Sequence, residues 1–90
     1  MGLFSKKKVP VDYDSVFKEQ YKSINQLLQQ ANNELDYVIK ESLYELIVEK
    51  YKELIAFIDQ GASFDKAHFV ALYQDAQKEL EMLHQMNQDV

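Results

Sequence analysis

The chain has 90 residues, no cysteine, tryptophan or arginine, and ten lysines against fifteen acids, for a net charge of −5. That length holds one domain at most, and the missing cysteine excludes disulfides, thiolate metal sites and cysteine nucleophiles. An acidic chain without arginine is a poor match for phosphate, which argues against nucleic acid as a partner.

The charge is unevenly placed. Lys6, Lys7 and Lys8 sit in a first decade that holds no acid, while the following eighty residues carry seven lysines and all fifteen acids, a net −8. The all-lysine cation set, with abundant Gln and Asn, suggests the AT-rich genome of a low-GC bacterium or its phage. Absent cysteine leans towards a reducing compartment, so a cytoplasmic location is expected. No apolar run approaches the ~20 residues of a membrane span. The lysines are not followed by the apolar stretch of a signal peptide. Gly2 invites an N-myristoylation reading, but Lys6 stands where that motif wants Ser or Thr.

Residues 1–11 read as a flexible basic tail, with Pro10 near its end, and residues 12–90 as a single helical domain. Leu3 and Phe4 next to Lys6, Lys7 and Lys8 resemble a miniature membrane-surface anchor. Each lysine near an anionic bilayer is worth ~1 kcal/mol, so the contact would be weak and reversible, at the inner face of the membrane.

From Val11 to Gln60 there is neither glycine nor proline. Those residues cost ~1 and ~3 kcal/mol in a helix interior, and their absence licenses long helices. Asp12 is placed to cap the first, with Val11 and Val16 at the positions of a hydrophobic staple. Phe17, Tyr21, Ile24, Leu28, Ala31, Leu35 and Val38 then recur at alternating steps of four and three, a heptad seam of the coiled-coil kind. The seam crosses Asn32 and Asn33 without a change of phase. The next seam position is the polar Ser42, and Ser42 to Glu45 has the form of a capping box. These features predict a first helix over 12–40, with a break near 32–33 as the alternative. Such a long first helix would overhang its partners and favour a dimer, possible as a four- or six-helix assembly.

The second helix is predicted over 43–60. Its stripe of Leu43, Leu46, Ile47, Leu54, Ile55 and Ile58 is broadened by Tyr44, Val48, Tyr51 and Phe57. A stripe that wide suits a central helix with a neighbour on each side. Gly61 ends it, and Ser63 or Asp65 caps a third helix over 64–87, whose stripe is Phe69, Leu72, Ala76, Leu80, Leu83 and Met86. The short connection makes helices two and three antiparallel. The fold class expected is therefore all-α, an antiparallel up-down-up three-helix bundle.

Three groupings carry chemistry. Glu45, Glu49 and Glu53, continuing from Glu41, form an acidic stripe that either docks a basic partner or simply solvates the surface. Tyr44 and Tyr51 share a face, and tyrosine favours core edges and interfaces. Glu81 and His84 have the Glu-x-x-His spacing of dimetal bundles, but the matching Asp65 and His68 lie on nearly the opposite face of the same helix, so one copy cannot build the centre and only a dimer could. No metal site, cofactor or catalytic residue is assigned. No serine has a histidine and an orienting acid beside it, and no Gly-rich phosphate loop is present. The expected role is non-enzymatic: binding another protein, as a regulator, adaptor or immunity-type factor, through Tyr44, Tyr51, Glu45, Glu49 and Glu53. The alternative is a membrane-surface protein tethered by its N-terminus.

Overall fold

A computed structural model describes residues 11–89. The Leu3, Phe4 and Lys6 to Lys8 anchor lies outside the described residues. The described chain is all-α: α1 (Tyr13–Asn33), α2 (Tyr37–Asp59) and α3 (Lys66–Gln88) run up, down and up.

Each helix begins on an aspartate, because a short carboxylate can accept from the otherwise unpaired N–H groups of the first turn. Asp12 accepts from the Ser15 backbone N–H at 3.3 Å and from its hydroxyl at 2.8 Å. These bonds, the hydroxyl's first, hold the Asp12 carboxyl below its usual range. Asp36 accepts from Val38 and Ile39, and Asp65 from Ala67. At the end of α2, Gly61 takes a φ of +132°. Its N–H donates to Ile58 and that of Ala62 to Phe57, the paired bonds of a Schellman motif. Ala62 is thereby turned into the core, 6% exposed.

The first helix boundary differs from the sequence expectation. α1 stops at Asn33, and Glu34, Leu35 and Asp36 turn the chain into α2. The helices expected over 12–40 and 43–60 are therefore 13–33 and 37–59, and the alternative near 32–33 is the correct one. Ser42 caps nothing: it lies inside α2, its hydroxyl donating back to the Val38 carbonyl at 3.3 Å. The seam ends at Ala31, since Leu35 is 92% and Val38 63% exposed. With 21 residues α1 is the shortest helix, so the overhang that argued for a dimer does not exist.

α2 is the central helix, packed against both neighbours. Ile47 and Leu54 are fully buried along it, Phe17, Ile24 and Ala31 face it from α1, and Phe69, Ala76 and Leu83 from α3. Leu46 and Met86, expected in the stripes, are outside this core at 45% and 41% exposure. Among the described residues no Cα of α1 comes within 8 Å of a Cα of α3. The outer helices meet through rings. At the end where α1 and α3 begin, Phe17 stacks on Phe64 at 4.0 Å between centroids and meets Phe69 edge-on at 4.8 Å, while Tyr21 meets Phe69 at 5.3 Å. Asp14 ties the same end by accepting from the Ser63 N–H at 2.7 Å.

Candidate functional site: the groove between α1 and α3

Beyond the aromatic end, α1 and α3 leave a groove of about 250 Å³ between them. Its floor is Tyr44 and Tyr51 of α2. They stand seven residues apart, two helical turns, and so point the same way. Leu28 forms the α1 wall, and Leu72 and Ala76 the α3 wall. Asp75 and Glu79, one turn apart on α3, complete the rim.

The two tyrosines are 8% and 3% exposed. Among the described residues neither hydroxyl has a hydrogen-bond partner, yet no buried side-chain oxygen or nitrogen is left unsatisfied. Both facts hold together when the hydroxyl oxygens keep some exposure, and both residues line the groove. Burial pushes the Tyr51 hydroxyl up to about 12, with Tyr21, Tyr44 and Asp75 adding to the effect. Burial, then the Glu79 carboxylate, raises Tyr44. Both stay protonated at neutral pH and available as donors. Asp75 and Glu79 also lack ion-pair partners among the described residues.

The sequence-derived site does not assemble as one surface. Tyr44 and Tyr51 belong to the buried side of α2, and Glu45, Glu49 and Glu53 to its exposed side. Glu53 accepts from Gln20 of α1 at 2.6 Å, and Glu49 pairs with Lys52 at 3.7 Å. The residues that flank the tyrosines, Leu28, Leu72, Asp75 and Glu79, come from α1 and α3. The only sequence signal for them was the spacing of Leu28 and Leu72 in their stripes; nothing in spacing joins Asp75 or Glu79 to Tyr44.

His84 is held away from a Glu81 partnership. Its Nδ1 lies 2.9 Å from Glu41, whose other oxygen accepts from Asn87 at 2.7 Å. Asn87 also donates to the Tyr37 carbonyl, and Glu81 accepts from Gln85. The Asn87 and His84 bonds lower the Glu41 carboxyl, and the Glu41 bond raises the His84 imidazole. This network clamps the start of α2 to the end of α3. Among the described residues no three metal-binding side chains cluster.

Two other surfaces stand out. At the α1–α2 corner, Leu35, Val38, Ile39 and Tyr37 are all at least half exposed or nearly so. A hollow of about 410 Å³ lies on α1 over Lys18, Tyr21, Lys22, Asn25, Gln26 and Gln29, and the wall of a single helix encloses no ligand. Among the described residues no helix is long and apolar enough to cross a membrane. Compared with family models, curated proteins and solved structures, the chain matches none of them.

Proposed function

We propose that the chain is a non-enzymatic helical protein that works by binding another protein, as a regulator, adaptor or immunity-type factor. The observation that supports this reading is the unclosed side of the bundle. Two outer helices flank a central one and touch at their aromatic end, and beyond it the space between them is floored by tyrosine. A bundle whose only task was stability would bring the walls together or fill the gap, because every void forfeits contacts. Tyrosines over an apolar base are enriched where proteins meet, since the ring supplies area and the hydroxyl supplies direction. Beyond Glu79 on the same helix, Met82 and Met86 stand half exposed, and methionine suits adaptable contact surfaces. The groove is smaller than the ~300 Å³ at which pockets for drug-sized molecules begin, which favours a polypeptide side chain over a metabolite.

The test is a photo-crosslinking amino acid placed at Met82, one turn beyond Glu79, and at Glu49 on the outer face, in the native host. A discrete protein adduct from Met82 that Glu49 does not give is the expected result. No adduct from Met82, or the same adducts from both positions, overturns the reading.

A further inference from the structure

Four polar groups without partners converge on one small apolar groove, and their chemistry defines what would satisfy them. The Asp75 and Glu79 carboxylates can only accept, and they follow each other by one turn of α3. Tyr44 and Tyr51, each more than nine-tenths buried and with no hydrogen-bond partner for its hydroxyl among the described residues, line the same space. Between them lie Leu28, Leu72 and Ala76, which offer nothing but hydrocarbon. A ligand that fits has an aliphatic stem, a positive charge and several N–H donors.

We propose that the groove is the receptor for an arginine side chain presented by the partner polypeptide. This rests on the protein-binding reading above and names its ligand chemistry.

Four considerations select arginine. Its guanidinium is planar with five donors, enough to serve two carboxylates and a tyrosine oxygen together, and it stacks on aromatic faces. A lysine ammonium has three donors and is more strongly hydrated, so it gives up more on entering a groove floored by buried rings. A hard divalent cation such as Mg2+ or Ca2+ wants six or more oxygens, and no cluster of three candidate ligands for any metal exists among the described residues. The volume of about 250 Å³ suits one long side chain.

The charge pattern chooses the source. The chain contains no arginine, so neither its own segments nor a second copy can supply one. A second copy also brings a net charge of −5 against an acidic rim. A basic partner is drawn to a body of net −8 over long range and then fixed by the groove.

The experiment is an NMR titration of the full-length, isotope-labelled chain with Nα-acetyl-arginine amide. The control is Nα-acetyl-citrulline amide, which has the same length and planarity and no charge. Saturable shifts confined to Leu28, Tyr44, Tyr51, Leu72 and Ala76 are expected with arginine and not with citrulline. Changing Asp75→Asn with Glu79→Gln should weaken binding by about tenfold or more, since hydrogen bonds to charged groups are the strong ones. Tyr44→Phe with Tyr51→Phe should weaken it by roughly three- to tenfold, with circular dichroism showing that each variant stays folded. Equal shifts from citrulline, shifts spread over Glu45, Glu49 and Glu53, or no effect of the double carboxamide overturn the proposal. So does saturable binding that emerges only when Lys6, Lys7 and Lys8 are changed to Gln, because the groove would then belong to the chain's own lysines. Failure of the titration removes arginine as the ligand and leaves the Met82 crosslinking result to stand or fall independently.

Discussion

Asp36 decides where the second helix begins, and its removal is the sharpest test of the architecture. Its carboxylate accepts from Val38 at 2.9 Å and from Ile39 at 3.4 Å, two donors that no carbonyl in the helix can reach. Replacing an N-cap aspartate by alanine costs ~0.5–2 kcal/mol. The site is exposed, so water re-solvates the freed N–H groups, and a cost of about 1 kcal/mol is expected. In a domain of this size that is a fall of roughly 4–8 °C in midpoint. Ser42→Ala supplies the contrast. Ser42 sits inside α2 with one exposed bond to the Val38 carbonyl, so alanine there should be neutral or stabilise by up to ~0.5 kcal/mol.

A boundary at 41–42 would reverse both signs. Ser42 would be the cap, and its loss would cost about 1 kcal/mol. Asp36 would sit mid-helix, where alanine gains ~0.6 kcal/mol of propensity against a lost i,i+4 pair with Lys40 worth ~0.3 kcal/mol. Urea unfolding followed by far-UV circular dichroism measures both variants, provided the denaturant slope is unchanged. A larger loss in Ser42→Ala than in Asp36→Ala would refute the three-residue turn at 34–36.

Ile47→Ala should destabilise by ~2–5 kcal/mol, because the side chain is fully buried in the central helix, whereas Leu46→Ala beside it, 45% exposed, should cost under ~1 kcal/mol; chemical denaturation of the pair checks the facing of α2. Gly61→Ala should cost ~1–3 kcal/mol through backbone strain alone, since the added methyl would meet only Tyr13 at an ordinary 3.9 Å while φ stays at +132°; a thermal melt reads it. The Glu41–His84 pair should shape stability against pH. His84 is raised in the fold, so its contribution is complete below its ordinary 6.5 and is lost as pH rises through the raised value. Glu41 is lowered, so its contribution is complete above its ordinary 4.5 and is lost as pH falls through the lowered value. Urea midpoints across pH should therefore plateau between 4.5 and 6.5. His84→Ala should remove the decline on the alkaline side, and Glu41→Gln should flatten both.

The helices were legible because periodicity and punctuation agree along most of the chain. Phe17, Ile24 and Ala31 recur at seven-residue steps and all three are buried; Gly61 stops a helix as its sequence context implies. The boundary at 34–36 was not legible, because Leu35 and Val38 continue the seam in phase. Spacing states which residues could share a face of a helix, not whether the helix continues. An aspartate reads equally well as a cap and as the first member of an i,i+4 pair, and Asp36 does the former. With the break moved back, Tyr37, Tyr44 and Tyr51 fall on one helix, and the latter two become floor. Their surroundings come from α1 and α3, at sequence distances no local pattern reports, so spacing alone groups them with the outward Glu45, Glu49 and Glu53. The link from Glu41 to His84 and Asn87 spans more than forty residues and was hidden for the same reason.

A gradient of side-chain size accounts for the groove. At one end four rings, Phe17, Tyr21, Phe64 and Phe69, stand between α1 and α3 and fix their separation, since stacked and edge-on rings hold their centroids 4.0 to 5.3 Å apart. Two turns further along, the facing residues shrink to Leu28, Leu72 and Ala76, which cannot fill the width the rings have set. The helices cannot close on the smaller residues without breaking the ring contacts, while the Glu41–His84–Asn87 clamp fixes α3 to the start of α2. The gap is thus held open from its aromatic end, with both walls packed on α2, and what enters it meets walls already in position. Little ordering cost is then charged to binding, and the contacts absent from the free bundle become available to the ligand.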